Sequence, residues 1–174
     1  SFSLLLPLLD QPCPVERMSA VYALGRNPFP SAVEKLVSLL ETDDNAYVRR
    51  ATAWSLANYD NEIVLKPLIN SLKNDVASVR LWSSSSLAEI GSTSSCNAQL
   101  AAEQLLISLK IDNEPVVRSN CIWSLCRLFE KLNEISQESF VDECTKIALF
   151  DKEPSVMEEA KTALDSMGMK GFYK

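Results

Sequence analysis

The sequence predicts an all-α fold, an α-solenoid of about five stacked helix pairs, and three observations carry that expectation. The chain aligns with itself without gaps: "ERMSAVYALG" (16–25), "VRRATAWSLA" (48–57), "VRLWSSSSLA" (79–88), "VRSNCIWSLC" (117–126) and "VMEEAKTALD" (156–165) each place a leucine eight residues after their first position. A second apolar helical pattern precedes each of these segments: "SLLLPLLD", "SAVEKLVSLLE", "IVLKPLINSLK", "AQLAAEQLLISLK" and "SFVDECTKIALF". The composition agrees, since 174 residues hold only four glycines and are 47% hydrophobic, enough for a continuous core with little irregular chain.

Each unit therefore has a first (A) and a second (B) helix, and the units span about 1–27, 28–60, 61–91, 97–132 and 136–167, with a tail at 168–174. In the first unit the A pattern contains Pro7 and begins at Ser1 inside a helical pattern, so the natural chain is expected to extend further upstream. Ser31 and Glu34 have the spacing of a capping box at the start of the second A helix. "GRNPFPS" is a proline-stiffened turn, with Phe29 expected to cover the end of that helix. "GSTSSCNAQ" reads as an exposed loop carrying Cys96, and "EKLNEISQES" as a polar link before the last pair. The tail breaks helical pattern at Gly168 and Gly171 and is expected to fray or to dock through Phe172.

Arg17, Arg49, Arg80 and Arg118 share the second position of the B segments, where the last unit has Met157. Asp10, Asp43, Asp44, Asp75, Asp112 and Asp151 sit in the turns between paired helices. Short carboxylates there are expected to cap the next helix or to pair with the arginine column.

Charge and chemistry exclude several functions. The net charge of −6 lacks the basic footprint of a nucleic-acid or anionic-membrane binder. No run approaches the roughly 20 apolar residues of a membrane span, which leads to the expectation of a soluble, cytoplasmic protein. The absence of histidine removes imidazole acid–base chemistry and histidine metal ligation. Cys13, Cys96, Cys121, Cys126 and Cys144 are odd in number, lack zinc-type spacing, and are read as reduced thiols. Neither a metal site nor a cofactor is expected.

"VRRATAWSLA" resembles the HEAT repeat, and more narrowly the HEAT-like repeat of the cyanobacterial phycobilin lyases, whose second helix runs like "VRRAAAWALG". "VRLWSSSSLAEIG" and "VRSNCIWSLCRLF" match it more loosely, and the departures at Glu16 and Met157 fall in the terminal units. The resemblance covers nearly the whole chain. It implies an α-solenoid whose B helices line an inner, concave surface, and functions that range over lyase subunits, chaperones, adaptors and general scaffolds.

At about 100° per residue, with the valine position as zero, offsets 2, 3, 6 and 10 fall between about 200° and 300°, away from the core. Tyr22, Trp54 and Trp123 occupy offset 6 and Trp82 offset 3, so all three tryptophans are expected in the groove. Arg50 at offset 2 and Arg26, Glu89 and Arg127 at offset 10 join them. Two roles stay open for each tryptophan: an anchor for a partner, or a plate that seals the seam between neighbouring B helices. The serines 83–86 leave the middle of this face small. Arginine suits a carboxylate, either in an acidic apolar helix of another protein or in the propionates of a linear tetrapyrrole. Glu89 is a weak candidate acid or base, should burial raise its pKa.

Two main function classes follow. One is a scaffold or chaperone-like protein holding a client in the aromatic groove. The alternative, implied by the resemblance, is a phycobilin lyase or bilin-handling chaperone that binds a bilin and delivers it to a cysteine of a phycobiliprotein subunit. A third, partnership with an iron–sulfur assembly protein, also comes from the resemblance alone.

Overall fold

The computed structural model describes residues 2–171 and 173. Among them there is no strand, and the helices alternate as the repeat demands. The B helices are α1 (Pro14–Arg26), α3 (Ala46–Leu56), α5 (Ala77–Gly91), α7 (Pro115–Leu128) and α9 (Pro154–Ser166). The A helices α2 (Val33–Thr42), α4 (Leu65–Asn74), α6 (Ser95–Ile111) and α8 (Glu134–Phe150) lie between them. The chain divides into two compact units, Ser1–Ile90 and Gly91–Lys174. No described helix is long and apolar enough to cross a membrane.

The first A element is a 3-10 helix, Phe2–Asp10, rather than an α-helix. Pro7 inside it supplies no N–H and its ring opposes a preceding α-turn. The element still docks on α1 and buries Leu9 completely. The Ser31–Glu34 capping box is not made. Pro30 opens a short 3-10 turn, Pro30–Ala32, that contains Ser31, and α2 starts from Ala32 without a side-chain cap. Asn45, Ser94 and Asn133 do cap: each side-chain oxygen accepts backbone N–H bonds from the first turn of α3, α6 and α8 respectively. Two of these caps correct the expected loops. Ser94 starts α6 before Cys96, which therefore sits in the helix's first turn, and Asn133 starts α8 inside the expected polar link.

In unit 1, α1 packs beside α3 and α2 beside α3. Val21, Leu24, Leu36, Leu40, Val48, Leu56, Leu68 and Leu87 are wholly buried or nearly so, the apolar stripe that the repeat pattern marks out. In unit 2, α7 packs on α6 and α9, and α8 on α9, around Leu105, Leu109, Val117, Leu125, Phe140, Val156 and Leu164.

The arginine column staples the turns. Arg49 directs Nε and one terminal nitrogen to the two oxygens of Asp75, at 2.9 and 2.8 Å, and gives its other nitrogen to the Asp43 carbonyl at 2.8 Å. Arg17 grips Asp43 in the same forked way, at 2.8 and 2.9 Å, and bonds the carbonyls of Gln11 and Pro12. Each arginine thus closes the turn before its own helix and ties it to the next turn along. Asp43 in turn accepts the backbone N–H of Asn45 at 2.9 Å, and Asp151 that of Glu153 at 2.9 Å. Arg118 is the weaker fastening. Only one of its terminal nitrogens reaches Asp151, at 3.0 and 3.3 Å, and its Nε is buried without a partner.

Beyond α9, Gly168 and Gly171 adopt positive φ of 78° and 97°, the left-handed conformation glycine tolerates best. The Gly168 turn folds back through an N–H of Met169 to the Leu164 carbonyl, and the Tyr173 hydroxyl donates to Asp165 at 2.7 Å. Phe172, the residue expected to dock the tail, lies outside the described residues.

Candidate protein-binding surface

In unit 1 the equivalent positions of α1 and α3 stand side by side, as Tyr22 and Trp54 show by meeting at 5.5 Å between ring centres with planes tilted by 54°. Trp54 is half-buried, and it lies so close over α1 that a Cβ on Gly25 would come within 2.5 Å of its ring. Trp54 therefore fills the seam between α1 and α3, and Gly25 is what permits the approach.

Trp82 on α5 behaves differently, with 39% of its surface exposed. Of the serines around it, Ser83, Ser84 and Ser86 are buried and Ser85 is half-buried, and the Ser86 hydroxyl donates to the Ala53 carbonyl of α3 at 2.7 Å. Small residues here let α5 pack closely on α3. Arg26 and Glu89 lie at the exposed end of this face. Glu89 is not enclosed, so the burial its candidate role as an acid or base required is missing.

Arg50 is half-buried and joins none of the tryptophans. Its guanidinium carbon sits 5.2 Å from the centre of the Tyr47 ring, and Tyr47 is 63% exposed. Unit 2 repeats the motif: the Arg127 guanidinium stands 5.0 Å from the centre of the Trp123 ring, which is 40% exposed. Stacked cation–aromatic pairs hold large, amphipathic surfaces in place at low entropic cost.

Val15, Tyr47 and Val116 are exposed apolar residues of this face that offsets 2, 3, 6 and 10 do not include. All three stand one residue before the valine position, at about −100°, inside the same sector as the tryptophans. The signal was present in the period, one residue upstream of the aligned segments.

The deeper hollows lie elsewhere. One of about 530 Å³ in unit 1 is lined by Leu40, Asn70, Asn74, Asp75 and the arginines Arg49 and Arg80. Arg49 already spends every nitrogen on Asp75 and the Asp43 carbonyl, which marks this edge as structural. Among the described residues no group of His, Cys, Asp or Glu is placed to hold a metal. Cys121 and Cys144 are buried, and burial pushes the Cys126 thiol up to about 11. Cys13 and Cys96 are exposed. Thiol labelling of the native protein near pH 8, read by mass spectrometry, is therefore expected to modify these two first, with Cys121, Cys126 and Cys144 reacting only on unfolding. Early labelling of Cys144 would contradict the packing of α8.

Residues 2–88, half of the chain, match the family of HEAT repeats. The chain belongs to the HEAT-repeat family. No curated protein sequence matches it. Among solved structures, this HEAT-repeat protein is similar to the complex of CpcE and CpcF of phycocyanin lyase from Nostoc sp. PCC7120, with a TM-score of 0.72 at 18% identity over 99% of this chain and 67% of that one. It is also similar to a designed armadillo repeat protein in complex with the peptide (KR)4, with a TM-score of 0.67 at 20% identity over 99% of this chain and 86% of that one. Human deoxyhypusine hydroxylase gives a TM-score of 0.59 at 17% identity, covering 97% and 74% of the two chains. At such identities the likeness concerns the α-solenoid fold.

Proposed function

We propose that this HEAT-repeat protein is a scaffold that holds a protein client on the aromatic face of its B helices. The observation that carries the reading is the exposure of large apolar side chains on the helix face turned from the core: Val15, Tyr47 and Trp82 in unit 1, Val116 and Trp123 in unit 2. Exposed aromatics braced by arginine have the composition of interface hot spots. The likeness of fold to a peptide-bound armadillo repeat supports the same reading.

Clients retained by the immobilised protein from a lysate of its source organism provide the test. Trp82→Ala and Trp123→Ala are each expected to weaken retention by about 2 kcal/mol, roughly thirtyfold in Kd, if they are hot spots. Because both side chains keep about two fifths of their surface in solvent, each change should cost the fold less than the loss of a packed aromatic, and the loss of retention should exceed the loss of stability. Retention unchanged in the double variant would refute the assignment of this face. A parallel titration with a free linear tetrapyrrole addresses the bilin reading. The scaffold predicts no change in pigment absorbance, whereas a spectral shift that Trp82→Ala abolishes would favour bilin handling.

A further inference from the structure

We infer that the patch around Tyr47 and Arg50 in unit 1 selects an acidic, apolar protein segment. A partner carboxylate would bond the Arg50 guanidinium, and a neighbouring apolar side chain would rest on Val15, Met18 and Tyr47. The inference rests on the reading of the B-helix face as a protein-binding surface and names the chemistry of what it binds.

Arginine pairing carries the inference. Arg17, Arg49 and Arg118 each meet an aspartate in the column that ties the turns together. Arg50 follows Arg49 in sequence and is likewise half-buried, yet among the described residues it has no hydrogen bond or ion pair, only the ring of Tyr47 beneath it. A guanidinium whose face meets a ring still has all its N–H groups in its own plane, and these can take a carboxylate through two parallel bonds. Apolar side chains share this face: Tyr47 is 63% and Val15 60% exposed, and Met18, half-buried, holds the α1 position equivalent to Arg50. Arg26, further along the same face and exposed, adds a second positive charge with no ion pair among the described residues. These two arginines lie on a chain whose net charge is −6. Long-range electrostatics therefore favour basic peptides, and only short-range complementarity would reverse the preference.

That opposition makes the experiment decisive. Three short fluorescein-labelled peptides, of glutamate and leucine, glutamine and leucine, and lysine and leucine, are titrated with the intact protein and followed by fluorescence anisotropy. The glutamate peptide is expected to bind roughly tenfold or more tightly than the glutamine peptide, the scale of a charge-assisted hydrogen bond. Arg50→Gln should remove that advantage while leaving the glutamine peptide's affinity unchanged, and Arg50→Lys should restore only part of it, since lysine keeps the charge and loses the fork. Circular dichroism melts of both variants should overlay the parent's. A lysine peptide that binds as tightly as the glutamate peptide overturns the inference, as does a glutamate preference that survives Arg50→Gln. If either happens while Trp82→Ala still releases lysate clients, the scaffold reading stands and only the acidic specificity falls. If no peptide binds and clients are also unaffected, both fall.

Discussion

Trp54→Ala is expected to cost the fold about 2–3 kcal/mol, below the roughly 3–5 kcal/mol of a fully buried aromatic because part of the side chain stays in solvent. For a chain of this length that corresponds to a fall in melting temperature of about 4–12 °C. The loss arises at one seam. Trp54 touches Tyr22 and spans the backbone at Gly25, and no neighbouring side chain replaces it, since the residue beneath is a glycine. The same contact predicts a coupling. Gly25→Ala alone would drive a methyl to 2.5 Å from the Trp54 ring and 3.1 Å from the Ser55 Cα, costing on the order of 1–3 kcal/mol. In the Trp54→Ala background the ring clash is gone and the added methyl partly fills the void, so the penalty should shrink. A double-mutant cycle by urea denaturation measures this directly, with an interaction energy of about 1 kcal/mol or more expected. Additive effects would mean that Trp54 does not rest on α1. Unaltered stability combined with lost client capture would instead make Trp54 an anchor like Trp82 and Trp123.

Asp75→Ala is the second large effect, at about 2–3 kcal/mol. It strips the acceptors from two nitrogens of Arg49, whose side chain is only 17% exposed, and an unpaired charge held out of water costs more than the pair contributes. Asp151→Ala should cost less, because the Arg118 fork is already half-engaged, with Nε lacking a partner. The column also sets a response to acid. Burial alone would raise the pKa of Asp43, but bonds from Arg17 and the Asn45 N–H outweigh it and hold the carboxyl below its ordinary value of 3.8. A folded pKa below the unfolded one means that this stabilisation is complete above the ordinary aspartate range and disappears as pH falls through the depressed value. Between neutrality and pH 5, Asp43→Asn should therefore show a constant deficit relative to the parent, and the two curves should converge at lower pH. Parallel curves down to pH 2 would show that Arg17 does not hold Asp43 ionised.

The period of the repeat, read from the sequence alone, determined the alternating helices, the buried leucine column and the partnership of arginines with turn aspartates. These follow from local rules: apolar spacing near 3.6 residues, and arginines and turn aspartates that recur at the same places in successive repeats. Local rules also point Trp54, Trp82 and Trp123 away from the leucine stripe, but they give only a direction. What each ring meets there was decided by the neighbouring helix. A glycine at position 25 lets α1 come under Trp54 and turns it into seam filling, while the environments of Trp82 and Trp123 leave about two fifths of each side chain in solvent. The pairing of Arg50 with Tyr47, three residues apart on α3, and the 3-10 geometry of the first A element around Pro7 are local in origin, although the offsets counted from the valine position passed over both. A helical wheel has no distances in it, and the distance from each side chain to the next helix separates a packed aromatic from an exposed one.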